Sequence, residues 1–202
     1  MTRPLLIVFL KAPHLGAVKS RLARGIGAVA AWRFYRNTVY TLLKRVASDR
    51  RWETVIAVTP DIADQKKIYI FQRFNIIQQD YGDLGQRMAR ALRHAGDRPA
   101  VLVGGDIPDV KCAHVAKAFT ALGRADLVFG PAEDGGFWLV GARAPKRDVR
   151  QLFRDVRWSG PHALGDTLKN IPPHRRFELI DTLADVDTPA DYKARFQRFK
   201  RS

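Results

Sequence analysis

The chain is predicted to fold as an α/β protein whose sheet is mostly parallel and covered by helices on both faces. Short apolar runs of strand length recur along it, segments of helical length separate them, and turns rich in Gly, Pro and Asp close the runs. Leu5-Leu6-Ile7-Val8-Phe9-Leu10 reads as a fully buried strand. A loop with Pro13 and Gly16 follows, then a long helical stretch from about Ala28 to Val46. Thr54 to Thr59 is a second strand, closed by Pro60, and Phe74 to Gln78 a third. Leu84 to Ala95 is a helix behind Gly82-Asp83, and Ala100 to Val103 is another buried strand. A helix near Val110 to Leu122, strands at Asp126 to Phe129 and Phe137 to Val140, and a helix around His162 to Leu168 come next. A strand near Phe177 to Ile180 and a final helix from Pro189 complete the series. No repeat, low-complexity tract or linker divides it, so residues 1–202 are expected to form one domain.

Composition narrows the function. At 202 residues, with 46% apolar and 27% charged residues, the chain has the makeup of a soluble globular domain. The run Leu5 to Leu10 is too short to span a bilayer and lacks the pattern of a signal peptide. One cysteine, Cys112, rules out an intrachain disulfide and a cysteine-based metal cluster. A cytoplasmic location without a transmembrane segment is expected. The formal net charge is +15, a field that attracts nucleotides, nucleic acids or anionic lipids alike. The basic end from Arg195 to Arg201 reads as an amphipathic helix with a solvated face.

The stretch Gly104-Gly105-Asp106-Ile107-Pro108-Asp109 carries the most information. It ends a buried strand, and ligands of open α/β sheets sit beyond such ends. Asp106 there can hold a divalent metal against nucleotide phosphates, or it can simply cap the following helix. After the first strand, the loop Lys11 to Leu22 offers Lys11, Gly16, Lys19, Ser20 and Arg21, suited to a diphosphate or to a plain basic surface. It matches neither a Walker A loop nor the Gly-x-Gly-x-x-Gly fingerprint. Gly82 and Gly85 permit close backbone approach at a helix start, and Asp83 is equally a reasonable N-cap.

Glu133-Asp134-Gly135-Gly136-Phe137-Trp138 joins two apolar runs. A bare reversal needs Gly135-Gly136 but not two carboxylates beside aromatic rings; the set suits an acceptor pocket in which Asp134 positions or deprotonates a hydroxyl. The alternative is a turn capped by Asp134 with Phe137 and Trp138 in the core. In extended chain Asp185 and Asp187 point to one side, as two ligands of one hard cation would. Thr188 or Asp187 can also cap a helix that opens with Pro189.

Taken in order, Lys11 to Leu22, Gly82-Asp83-Leu84-Gly85, Gly105-Asp106-Ile107-Pro108 and Gly130 to Gly136 are followed by Leu152-Phe153, Trp158-Ser159 and Asp185 to Pro189. This series resembles a bacterial glycosyltransferase-like family of the radical-SAM/selenodomain-associated type, and the resemblance covers essentially the whole chain. It implies the GT-A (nucleotide-diphospho-sugar transferase) fold, a Rossmann-like three-layer αβα sandwich with a mostly parallel mixed sheet. More distantly the chain is similar to molybdenum-cofactor and 2-phospholactate guanylyltransferases. By that similarity Asp106, Asp185 and Asp187 would bind Mg²⁺ or Mn²⁺, and Lys11, Lys19 and Arg21 would meet phosphates. Trp158 would join the acceptor pocket. Ser20 stands where the family usually has Thr, and Ile107 where Cys is common; neither change removes a needed group.

The expected function is metal-dependent transfer from a nucleotide or nucleotide-sugar donor to a small-molecule acceptor, with Asp106, Asp134 and Lys19 as its catalytic residues. Nucleotidyl transfer from an NTP to a phosphorylated or carboxylated acceptor is the alternative on the same fold. A basic nucleic-acid-binding module would explain the net charge but not carboxylates clustered at strand ends, which repel a phosphate backbone. No nucleic-acid-binding motif is present, and no specific nucleic-acid partner is expected.

Overall fold

The computed structural model describes residues 2–47, 49–60 and 68–199. Its strands are β1 (Leu5–Lys11), β2 (Glu53–Thr59), β3 (Asn75–Gln78), β4 (Ala100–Gly104), β5 (Leu127–Pro131), β6 (Phe137–Ala142) and β7 (Phe177–Leu179). They form one sheet in the order β3-β2-β1-β4-β6-β5-β7. β1 pairs in parallel with β2 and β4, β2 with β3, and β5 with β7, while β6 runs antiparallel between β4 and β5. This is the mostly parallel mixed sheet of the sequence reading.

Side chains of a strand alternate between its faces, and β1 shows why both faces had to be apolar. Leu6, Val8 and Leu10 enter one core, and Leu5 and Ile7 enter the other. Helix α2 (Ala28–Val46) covers the first face through Tyr35, Val39, Leu42 and Leu43, with α4 (Cys112–Ala121) beside it. Helix α3 (Leu84–Arg93) covers the second through Met88, Ala91 and Leu92. Each such side chain contributes roughly 1.5–3 kcal/mol when fully buried. The result is three layers, αβα.

Beyond β6 lie three further helices, α5 (Pro145–Asp148), α6 (Ala163–Lys169) and α7 (Pro189–Phe199). The basic end assigned from sequence to 195–201 therefore lies only partly within the described residues. No described helix is long and apolar enough to cross a membrane.

Besides α5 and a 3-10 turn over Tyr69–Arg73, one helix absent from the sequence reading bears on the site. α1 (Ser20–Ile26) occupies the end of the first loop. Arg21, Leu22, Ala23 and Arg24 are good helix formers, but the start carries no side-chain cap: Lys19 precedes it in the left-handed region (φ 50°, ψ 47°). Without a Ser, Thr, Asp or Asn cap ahead of Ser20 there was no start signal to read. Gly27 (φ 86°) then separates α1 from α2.

Candidate functional site

The parallel strands end at one edge of the sheet, and β6, running backwards, begins there. The loops after β1, β4 and β5 and the segment leading to α7 therefore meet at a single edge. Two cavities open on it.

The first, about 420 Å³, is lined by Lys11, Lys19, Ser20, Arg21, Arg87 and Asp106 over a floor of apolar groups that includes Leu10, Met88 and Phe137. Lys11 is the last residue of β1, and its backbone is clamped by Tyr35: the Lys11 N–H donates to the phenol oxygen at 3.0 Å, and the phenol donates to the Lys11 carbonyl at 2.9 Å. Burial, reinforced by the charge of Asp106, raises the Tyr35 pKa well above its usual value, so the phenol stays a donor.

Asp106 does not cap the next helix. α4 starts six residues later, with the Lys111 N–H bonded instead to His114 Nδ1. The carboxylate points at α1, where Lys19 Nζ donates to Asp106 Oδ2 at 3.0 Å. The same ammonium lies 3.6 Å from Asp187 Oδ1, and Arg21 Nη1 donates to Asp187 Oδ2 at 3.1 Å. The Lys19 side chain is only 5% exposed. Burial opposes its charge, but the carboxylates of Asp106, Asp187 and Asp185 outweigh that and raise its pKa.

Asp185 and Asp187 reach this point on an extended segment that continues the edge of β5. The Leu183 N–H donates to the Pro131 carbonyl at 3.1 Å, and Val186 is buried between the two carboxylates in sequence. Thr188 and Asp191 then form a reciprocal cap, with Asp191 accepting from the Thr188 N–H at 2.7 Å and Thr188 Oγ1 accepting from the Asp191 N–H at 3.3 Å. Thr188 thus caps α7, as one sequence reading had it, while Asp185 and Asp187 stay on the wall of the site. Asp185 has its pKa raised to about 6, first by burial, with Lys19 opposing and the charges of Asp134, Asp106 and Asp187 adding to it.

The second cavity, about 640 Å³, adjoins the first and shares Arg21 and Asp187 with it. Its walls include Asp109, Glu133, Asp134, Asp185 and Asp191. Both guanidiniums on its wall are engaged by carboxylates, Arg21 by Asp187 and Arg195 by Asp109 at 2.5 Å. In a chain of net charge +15 this is an acidic recess.

The other sequence-predicted residues are placed as follows. Phe137 lines the basic cleft rather than the acidic cavity. Trp158 lines neither; it packs on Phe137 and Phe153 with ring centroids 6.2 and 6.0 Å away, over Gly85. A β-carbon on Gly85 would stand 2.7 Å from the Trp158 ring, which is why glycine is needed there. Asp83 forms a capping box with Gln86, and Gly82 (φ 101°) makes the turn before it; neither lines either of these two cavities. Gly16 (φ 81°) turns the first loop without reaching the cleft. Asp134 accepts from the Gly136 N–H at 2.9 Å, and Gly135 (φ 85°) lies against Pro161. Trp138 is in the core, its indole N–H donating to the Asp181 carbonyl at 2.9 Å.

Gln79 and Arg87 were missed. Gln79 is buried, its carboxamide donating to the carbonyls of Leu10 and Ala57, both at 2.9 Å, and accepting from Arg87 Nη1 at 3.1 Å. A lone glutamine at a strand end has no sequence signature; Arg87, one turn into a helix behind a glycine turn, offered a faint one.

As to a metal, no group of three or more His, Cys, Asp or Glu among the described residues is arranged to hold an ion as it stands. The chemistry of the donors nevertheless fits: Asp106, Asp185 and Asp187 are hard oxygen ligands of the kind Mg²⁺ and Mn²⁺ take, and Asp106 and Asp187 already share one cation, the Lys19 ammonium.

Fold and edge together define the class, an α/β protein with the nucleotide-diphospho-sugar transferase fold. Within it the chain belongs to the family described as uncharacterized protein conserved in bacteria (DUF2064), whose model matches residues 42–160. No curated protein matches it. Among solved structures, one from Desulfovibrio desulfuricans G20, named for the nucleotide-diphospho-sugar transferases, is 29% identical with a TM-score of 0.91, over 100% of this chain and 90% of that one. A nucleotidyl transferase from Methanothermobacter is 15% identical with a TM-score of 0.62, over 97% and 98%. Glucosyl-3-phosphoglycerate synthase from Mycobacterium tuberculosis, in complex with Mn²⁺, UDP and glucosyl-3-phosphoglycerate, is 10% identical with a TM-score of 0.54, over 97% and 76%. The fold is thus one used by transferases with nucleotide donors.

Proposed function

We propose that the protein is a metal-dependent transferase that moves a glycosyl group from a nucleotide sugar to a polyhydroxylated acceptor, in keeping with the radical-SAM/selenodomain-associated subtype its motifs resemble. One observation carries this reading: a cation-lined cleft and a carboxylate-lined cavity adjoin at Arg21 and Asp187, beside the Lys19–Asp106 ion pair of the cleft.

The diphosphate of the donor lies against Lys11, Lys19, Ser20 and Arg21, whose cations offset the charge that grows on the leaving phosphate. The apolar floor takes the planar base. Asp106, Asp185 and Asp187 would hold Mg²⁺ or Mn²⁺, which supplies Lewis-acid stabilisation of that leaving group. Across the shared wall, Asp134 and Glu133 accept hydrogen bonds from acceptor hydroxyls, and Asp134 takes the proton of the attacking one. Carboxylates on that wall disfavour an anionic acceptor, which weighs against the nucleotidyl reading with a phosphorylated or carboxylated acceptor.

A thermal-shift panel with Mn²⁺ and UDP, GDP, CDP, GTP, CTP and nucleotide sugars tests this on wild type and Asp106→Ala. Metal-dependent stabilisation by one donor, lost in the variant, is the expected result; no stabilisation by any member would refute it. Turnover products then separate the reactions, since glycosyl transfer releases a nucleoside diphosphate and nucleotidyl transfer releases pyrophosphate.

A further inference from the structure

Lys19 is an unusual residue to find where it is. It is not glycine, yet it lies in the left-handed region, and its side chain contributes no cap to α1. Its ammonium is almost fully enclosed and is held between two carboxylates from different parts of the chain, Asp106 after β4 and Asp187 before α7. These are two of the three residues assigned above to a divalent cation. The place where a cation would be held between them is taken by an amine.

Given the metal-dependent reading above, on which this inference rests, we propose that Lys19 is a resident counter-ion. In the free protein its ammonium holds Asp106 and Asp187, and it leaves them for the donor's phosphates only when a divalent cation arrives with a nucleotide.

Charge supports the exchange. Lys19 and Arg21 already offset the charges of Asp106 and Asp187. A divalent cation entering alone would meet the ammonium at close range and leave the edge positively charged, with Lys11 and Arg87 also nearby. A nucleoside diphosphate supplies the missing negative charge. It also gives the ammonium somewhere to go, because Lys19 already lines the cleft with Ser20 and Lys11. Cation and nucleotide should therefore bind as a pair, each weakly without the other.

The test is Mn²⁺ binding followed by the electron paramagnetic resonance signal of the free ion, with no turnover required. Wild type is expected to bind Mn²⁺ weakly alone and about tenfold or more tightly with UDP, GDP or CDP present. Lys19→Met should bind Mn²⁺ alone about tenfold more tightly than wild type, and Lys19→Met with Asp106→Asn should lose that gain. Lys19→Asn, whose side chain tolerates the left-handed backbone, repeats the test if the methionine variant folds poorly. Equal Mn²⁺ affinity of wild type and both lysine variants, still sensitive to Asp106→Asn, would overturn the exchange and leave the metal site standing. Absence of Mn²⁺ binding with every nucleotide would remove the metal reading itself, and the exchange with it.

Discussion

Gly25 of α1 lies directly against the ring of Pro189, the first residue of α7: a β-carbon on Gly25 would stand 2.3 Å from Pro189 Cγ. The two helices carry opposite sides of the site, Lys19 and Arg21 on one and Asp187 just ahead of the other. Their spacing is set by this contact. Gly25→Ala gains about 1 kcal/mol of helix propensity but forces the helices apart at a cost of about 1–3 kcal/mol. The net expectation is a less stable protein with weakened nucleotide-dependent stabilisation, measured by urea unfolding and thermal shift. A variant more stable than wild type with unchanged nucleotide response would show that the contact does not set the spacing.

Gln79 fixes Arg87 at the cleft. Gln79→Leu keeps the bulk of the side chain but removes the acceptor for the guanidinium and the donors to Leu10 and Ala57. Leaving buried polar groups unpaired costs about 1–3 kcal/mol each. Chemical denaturation should show a loss in that range, and nucleotide affinity should fall with it. Unaltered affinity would place Arg87 outside donor binding.

Trp158 belongs to a ring cluster packed on α3 and lines neither cavity at the sheet edge. Trp158→Ala should therefore lower stability by about 3 kcal/mol while donor and acceptor Michaelis constants of the folded enzyme stay close to wild type. A selective rise in the acceptor constant alone would return Trp158 to the acceptor side.

Acid sensitivity has an identifiable source away from the site. The carboxyl of Asp126 is held below its ordinary value chiefly by the Arg176 N–H, which donates at 2.9 Å; burial opposes this, and Arg175 and Arg143 add to it. A folded pKa below the unfolded one gives stability that is present above the unfolded value and lost as pH falls through the folded value. Asp126→Asn should be less stable than wild type at neutral pH by about 1 kcal/mol, and the gap should close as pH drops below 3.8. A gap that stays constant across an acid titration would contradict this assignment.

The strands, both cores and the final capped helix were legible because each rests on a periodic or local signal. The unbroken apolar runs Leu5 to Leu10 and Ala100 to Val103 and the Thr188-Pro189 start all express local geometry. Asp106, Lys19 and Asp187 could be named as candidates, but not their mutual contact, since they are brought together only by strand order and by packing such as Gly25 on Pro189. α1 was hidden because its first turn lacks a cap. Phe137 was read toward the acceptor because a sequence does not say which face of a sheet a ring enters, and Trp158 because its packing on Phe137, Phe153 and Gly85 is set by contacts distant in sequence. Gln79 could not be found at all: its role depends on two backbone carbonyls distant in sequence.

The left-handed backbone at Lys19 also bears on how this position would drift. Glycine or asparagine meets that conformation more readily than any long side chain. A library of position-19 variants selected only for folded yield should fill with those two residues. Selected for turnover, the same library should return to lysine, so that fitness at this single position separates what the fold prefers from what the chemistry demands.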